Sequence, residues 1–389
     1  MATMLEGLRV VEISSFVAAP LGGMTLAQLG ADVVRVDPVG GAADVRRWPL
    51  APSGTSLLWT GMNKGKRSIT VDFRSAEGRD VVTRLAADAG IVLTNAVGRP
   101  WLSYEALSEA RPDLIHLQIE GRHDGSAAVD YTVNAEVGFP FVTGPPDHGA
   151  PVNHVLPAWD MACGLYAATG LLAAERRRSR TGEGARIRLP LHDVALAMAG
   201  NLGFLAEAQL GHDRERVGNY LFGGFGRDFA LAGGRRVMVV ALTTRHFADL
   251  CEITGLQETV AELERLLGAD FGVDGDRYRH REALAALLAP WFAERTLEEV
   301  TEAFRGSAVL WAPYRRFTEL DLEGDPLIGE IDQPGVGRLR APASPLDTGT
   351  GDRAPVPAPR LGEHTDAVLA DLGLDAADVA ALRAKGAVA

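Results

Sequence analysis

The first third of the chain repeats one pattern: a short β-branched run, a helical segment, then another β-branched run. Strand candidates fall at 8–13, 33–36, 68–73, 91–95 and 114–119, with helical segments near 24–29, 77–89 and 104–111 between them. Parallel strands need long crossover connections, and a helix is the usual one. The alternation therefore predicts an α/β fold with a Rossmann-like, doubly wound parallel sheet. Gly30-Ala31-Asp32 reads as a glycine helix stop followed by re-entry into a strand.

Further along, the pattern predicts a helix to about residue 178, a turn at 181–184, a strand at 185–189 and a helix over 194–210. The glycine-rich stretch from Gly218 to Gly226 marks a domain boundary, and the strand at 235–241 with helices near 246–254, 281–292 and 297–304 predicts a smaller α+β unit. A Pro/Gly/Asp-rich stretch at 342–359 reads as an extended connection leading to two short helices near 366–372 and 376–383. The expected division is a large Rossmann-like domain at 1–218, a small α+β domain at 219–330, and a tail at 331–389 that returns to the large domain.

The net charge is -12 and the only basic tract is Arg176-Arg177-Arg178, which reads as a solvated helix end. Nucleic-acid binding is disfavoured, although an anionic ligand needs only a local basic patch. Two cysteines, Cys163 and Cys251, are too few for a disulfide framework, and nothing has the spacing of a zinc site, so no metal is expected. No apolar run reaches membrane-spanning length and no charged-then-apolar leader precedes the first strand, which makes the cytosol the expected compartment.

Asp160 stands in Pro157-Ala158-Trp159-Asp160-Met161-Ala162-Cys163-Gly164, at the start of the long helix. A carboxylate in a first helical turn meets unpaired N–H groups and the positive end of the macrodipole, so it is expected to stay ionised and nucleophilic; the plain alternative is an N-terminal capping Asp. Asp37 after the second strand invites a nicotinamide-cofactor reading, but the turn after the first strand lacks Gly-x-Gly-x-x-Gly. Gly223, Gly224 and Gly226 could bring backbone N–H groups close to a ligand, or form an interdomain hinge. Asn63-Lys64-Gly65-Lys66-Arg67-Ser68 by itself reads as a solvated basic loop.

Taken in order, Leu5-Glu6-Gly7-Leu8-Arg9-Val10-Val11-Glu12, Gly30-Ala31-Asp32-Val33, Asn63 to Ser68, the region of Asp160 and Pro359-Arg360-Leu361-Gly362-Glu363-His364 resemble the class III CoA-transferases. That family includes formyl-CoA transferase and 2-methylacyl-CoA racemase. The stretches Val129-Asp130-Tyr131, Val152 to Asp160 and Gly218 to Phe229 resemble a subgroup of isomerases that move CoA between carbon 1 and carbon 4 of mesaconate. The resemblance implies Asp160 as nucleophile and no cofactor, CoA being part of the substrate. It places Val17, Ala18, Asn63, Lys64, Lys66 and Asn95 at the CoA. Pro38 stands where formyl-CoA transferase has an arginine, and the segment after Asn95 departs from the family pattern, so Arg99, Arg35 and Arg46 are the substitutes expected at the phosphates. An interlocked homodimer is also implied, with 342–359 among its extended connections.

The implied chemistry is attack of Asp160 on a thioester carbonyl, mixed anhydrides and an aspartyl-CoA thioester, with Gly223 and Gly224 supplying oxyanion donors. Two rivals stay within the family. An intermolecular CoA-transferase would exchange dicarboxylates with solution. A racemase needs a histidine before the aspartate at 130, where this chain has Val129, although His123 and His154 are close enough in sequence to be weighed. Outside the family of activities, a catalytically silent CoA-binding relative would be expected to lack Asp160.

Overall fold

The computed structural model describes residues 3–347, 349 and 354–389; of the expected connection at 342–359, residues 348 and 350–353 lie outside the described residues. In chain order the elements run β1 (Arg9–Ile13), α1 (Ala18–Gln28), β2 (Asp32–Pro38), α2 (Leu57–Met62), β3 (Arg67–Val71), α3 (Ala76–Ala89), β4 (Ile91–Thr94) and α4 (Tyr104–Ser108). They continue with β5 (Ile115–Glu120), α5 (Asp130–Glu136), α6 (Phe139–Val142), α7 (Ala158–Thr181), β6 (Ala185–Pro190), α8 (Leu191–Asn201) and α9 (Phe204–Gln209). The expected helix over 194–210 is thus two helices, because Gly203 takes a positive φ of 85° that ends the first.

Two compact units are present. The first comprises Met1–Val137, Val155–Ala206 and Leu322–Ala389, the second Gly138–His154 and Glu207–Asp321. The boundaries drawn at 218 and 330 therefore fall at 206 and 321 instead, and 138–154 joins the second unit. Arg216 explains part of this, since its guanidinium donates to the carbonyls of Phe141, Pro140 and His148 and ties the segment after 206 to the one after 137.

In the first unit, six parallel strands form one sheet in the order β3-β2-β1-β4-β5-β6. The chain winds outward from β1 to β3 and then returns to the other side of β1, so the C-terminal ends of β1 and β4 flank a topological switch point. Side chains alternate across a strand. Val11 and Ile13 face a core shared with Val81, Val82 and Leu85 of α3 and with Val368, Leu369 and Val379 near the chain end. Glu12 points to the opposite face, against Gly23 of α1.

On that opposite face α1 and α7 pack together through residues without bulk. A β-carbon at Gly164 would stand 2.6 Å from the Ala18 carbonyl oxygen, and one at Gly22 would stand 3.0 Å from the Gly164 carbonyl oxygen. Only glycine permits that approach. The outer strand β3 is sealed by distant chain: the N–H of Asp72 donates to Ala387 at 2.8 Å, the Thr70 hydroxyl donates to the Ala389 carbonyl at 2.9 Å, and Val71 bridges Val388. The tail also holds an antiparallel hairpin of β10 (Ile328–Gln333) and β11 (Gly337–Pro342), then α15 (Thr365–Asp371) and α16 (Ala376–Ala384).

The second unit is built on a three-stranded antiparallel sheet in the order β7-β8-β9, with strands Phe225–Ala230, Arg236–Ala241 and Leu310–Pro313. Five helices, Thr244–Thr254, Gln257–Leu267, Asp274–Arg279, Arg281–Ala293 and Leu297–Ala303, lie between β8 and β9. Phe225, Phe229, Phe247, Phe271, Phe292 and Phe304 dominate its core.

Candidate active site

Asp160 is the third residue of α7, and the N-cap is Pro157, which has no side-chain acceptor. A helix start leaves four N–H groups that need partners. Here Pro157 at the N-cap has no N–H, the donors left over are those of Ala158, Trp159 and Asp160, and all three are spent before Met161 opens the regular helical bonds. Ala158 donates to the Leu156 carbonyl at 2.7 Å, Met161 to the Pro157 carbonyl at 3.0 Å, and Trp159 and Asp160 donate to Oδ2 of Asp130 at 2.8 and 3.1 Å. The capping carboxylate of α7 is therefore Asp130, the first residue of α5, and not Asp160. One turn along α5, Asn134 Oδ1 accepts from the indole N–H of Trp159 at 3.1 Å and fixes the same two helices again.

This overturns the reason given for an ionised Asp160. The first-turn donors are already taken, so nothing in the helix start lowers its carboxyl. Partial burial, and secondarily the neighbouring Asp130, push it up to about 7. Among the described residues its side chain has no hydrogen-bond partner. Such a carboxylate is ionised in an appreciable fraction at neutral pH and carries a concentrated charge, which suits a nucleophile. Cys163, one turn later, is fully buried, and burial followed by the charge of Asp160 pushes its thiol up to about 12, so it is no competing nucleophile.

The packing of Gly164 on Ala18 brings the start of α7 to the β1–α1 turn at the switch point. That turn is clamped. Ser15 N–H donates to Asn95 Oδ1 at 3.0 Å and Asn95 Nδ2 returns a bond to the Ser15 carbonyl at 2.8 Å; Phe16 N–H donates to Asp44 Oδ2 at 3.1 Å. Phe16 is held at a φ of 65°, an uncommon setting for a side chain of this kind. The turn ends at Val17, which carries no side-chain cap for α1, and the N–H groups of Val17, Ala18 and Ala19 have no acceptor among the described residues. A free helix N-terminus at a switch point suits an anionic group.

Asn63 and Lys66, expected at a ligand, are instead built into the interior. The Lys66 ammonium donates to Glu12 Oε1 (2.9 Å), to the Pro20 carbonyl (2.8 Å) and to Asn63 Oδ1 (2.9 Å), with Glu12 Oε2 in ion-pair range at 2.8 Å. Arg35 is equally spent: it is 0% exposed and binds Asp37, Asp44, Asn63 Oδ1 and the Ser14 carbonyl at 2.9–3.2 Å. Asp37 therefore neutralises a buried arginine, which is the physical reason for an acid at the end of β2 without a nicotinamide site. Burial outweighs the partners of Lys66 and pushes it down to about 8. Lys64 is buried along most of its length, with its ammonium 3.3 Å from the Pro342 carbonyl.

Free basic groups remain around the turn. Arg46 and Arg99 are exposed, as is Arg47, which the sequence reading passed over. The guanidinium of Arg47 lies 5.4 Å from the Phe16 ring and that of Arg99 5.3 Å from Phe73. Pairing with aromatics fixes them without consuming their N–H groups. The signal that could have found Arg47 was its place in Arg46-Arg47-Trp48-Pro49, a basic pair beside an exposed tryptophan.

In the second unit, Leu221 N–H donates to the Gly226 carbonyl at 2.8 Å and closes the loop carrying Gly223 and Gly224. Gly223 has a φ of 80°, and neither its N–H nor that of Gly224 has an acceptor among the described residues. Of the groups weighed for proton exchange, Val129 is 61% exposed and apolar, His123 is exposed with Nδ1 3.2 Å from Asp193 Oδ2, and His154 belongs to the second unit. No helix is long and apolar enough to cross a membrane, and no cluster of metal-ligating side chains occurs among the described residues.

Residues 5–365 match CoA-transferase family III. The chain is 51% identical over 403 residues to 2-methylfumaryl-CoA isomerase of Chloroflexus aurantiacus, covering 100% of this chain and 98% of that one. It is 28% identical to succinyl-CoA–D-citramalate CoA-transferase of the same organism, covering 98% and 97%. Among solved structures, a CAIB/BAIF family protein from Brucella suis superposes with a TM-score of 0.79 at 28% identity, over 96% of this chain and 100% of that one.

Proposed function

The chain belongs to CoA-transferase family III, and from that premise we propose that it moves CoA between the C1 and C4 carboxylates of mesaconate, the reaction of a 2-methylfumaryl-CoA isomerase. The observation that carries the reading is the Asp160 carboxylate: unbonded, raised to about 7, at the head of a helix whose donors are all occupied. Full-length identity of 51% to an isomerase of that name supports the choice of acyl group.

Ionised Asp160 attacks the C1 thioester carbonyl, and collapse of the tetrahedral oxyanion expels CoA thiolate and leaves a mixed anhydride. The thiolate attacks the aspartyl carbonyl, which forms an aspartyl-CoA thioester and frees mesaconate. Mesaconate turns, its C4 carboxylate attacks the aspartyl thioester to form a second anhydride and expel CoA thiolate, and that thiolate attacks the C4 carbonyl to release the Asp160 carboxylate. No proton or electron is gained or lost overall. The unspent N–H groups of Gly223 and Gly224 are the proposed oxyanion donors. The open N-terminus of α1 at Val17 and Ala18, with Arg47, Arg46 and Arg99, is the proposed site of the CoA phosphates.

The proposed assembly is an interlocked homodimer in the cytosol. Leu165 and Tyr166 on α7, with Leu196 and Leu202 on and after α8, leave apolar side chains exposed on the first unit that a second copy would cover. The reaction is tested by supplying the C1 thioester of mesaconate with an excess of isotopically labelled free mesaconate. The C4 thioester should form almost unlabelled. Equilibration with the labelled pool would reassign the enzyme to intermolecular CoA transfer, the activity named for the relative at 28% identity.

A further inference from the structure

α7 packs against α1, α5, α8, β5 and β6, and the charged groups on those elements are nearly all committed to one another. α1 has no titratable side chain. On α5, Glu136 pairs with Arg122; on α8, His192 and Asp193 approach Glu136 and His123. On β5, Glu120 pairs with Arg188 of β6 and His116 bonds the Leu102 carbonyl, while Arg186 pairs with Glu105. Asp130 is the exception. It is 2% exposed, its Oδ2 holds the N–H groups of Trp159 and Asp160, and its Oδ1 is buried without a partner.

A helix start ordinarily shares its donors with the carboxylate in its first turn, which spreads the charge and weakens it as a nucleophile. Here those donors are claimed by a second carboxylate whose own charge stands beside the first. We propose that Asp130 is a positioning residue for Asp160: by capping α7 from α5 it fixes the backbone that carries the nucleophile, withholds the helix donors from it, and keeps its charge concentrated. The upward displacement of the Asp160 carboxyl agrees with this, Asp130 being its second cause after burial.

This rests on Asp160 being the nucleophile, so Asp160→Asn is assayed in parallel: turnover by that variant would refute the nucleophile itself. With that control inactive, Asp130→Asn keeps an oxygen for the two N–H groups while removing the charge. The acid limb of its kcat/KM profile should move down by one pH unit or more, its plateau should fall roughly tenfold because a less basic nucleophile reacts more slowly, and KM for mesaconyl-CoA should stay within about twofold. A correctly folded Asp130→Asn enzyme with its limb unmoved would overturn the proposal, since a purely structural cap would lower activity at every pH alike. Should that variant not fold, Asp130→Ser, which also keeps an oxygen for the cap without the charge, takes its place, read by carboxyl-13C NMR of aspartate-labelled protein with Asp160→Asn used to assign the signal: an Asp160 titration lower than in the native protein supports the role and one unmoved overturns it.

Discussion

The carbonyl oxygen of Ala18 lies 2.6 Å from where a β-carbon on Gly164 would stand, so the first residue of α1 and the fifth residue beyond Trp159 touch backbone to backbone. This contact places the β1–α1 turn beside the head of the helix that carries Asp160. Gly164→Ala must move one helix away from the other. It is expected to cost about 1–3 kcal/mol of stability and to lower kcat/KM by at least tenfold, measured by denaturant unfolding and steady-state rates. Unaltered kinetics in a destabilised protein would show that the spacing serves packing alone.

Asp160→Asn should abolish turnover and leave a folded protein. Its stability should also depend on pH in a defined direction. Because the native carboxyl is raised to about 7, above its unfolded value, the native state holds the extra proton between roughly pH 4 and 7, and native stability falls as pH rises through that window. The uncharged variant escapes this loss. It should match or fall slightly below the native protein at pH 5 and exceed it at pH 8 by about 1–2 kcal/mol, allowing for solvent screening of a partly exposed group. Parallel urea titrations at the two pH values check the crossover.

Lys66→Met strands Glu12, a carboxylate with no exposed surface, without its main counter-charge. Loss of one partner of a buried pair costs about 3–5 kcal/mol. The expected result is a large drop in the denaturant midpoint, with KM for acyl-CoA little changed in whatever protein stays folded. A rise in KM at unchanged stability would restore Lys66 to the ligand.

Arg47→Ala and Arg99→Ala should each raise KM for the CoA thioester by about threefold to tenfold at low ionic strength, with the effect shrinking as salt screens exposed charges. Neither should change the thermal midpoint appreciably, as both guanidinium groups lie at the surface. Equal KM values at low salt would remove them from the phosphate site.

The parallel sheet was legible because β-branched runs and helical stretches alternate where the strands and helices lie, from Arg9–Ile13 to Ile115–Glu120. The location of Asp160 was legible too, but its chemistry was not. Capping was read from local sequence, whereas the cap comes from Asp130, thirty residues upstream, through a contact that only the tertiary fold creates. Lys66 and Arg35 misled for a similar reason. A cation looks available, Lys66 on its loop and Arg35 on β2 alike, until its partners, Glu12 on β1, Asp37 on β2 and Asp44 after it, close around it. The unit boundary was displaced because Arg216 fastens its segment to residues 140–148, a link without periodicity or composition to announce it.

The seal on β3 also bears on how the protein is made. Ser68 meets His364 and Thr70 meets Ala389, a partner 319 residues later, so the outer strand has no neighbour on that side until residues 362–389 are synthesised. At 5–20 residues per second that is roughly 15–60 s of exposure. During this interval a β-branched edge, Ser68-Ile69-Thr70-Val71, is open to pairing with another nascent chain. Yield in a heterologous host should therefore respond to slower translation or added chaperone more than to any change in the stability of the finished fold.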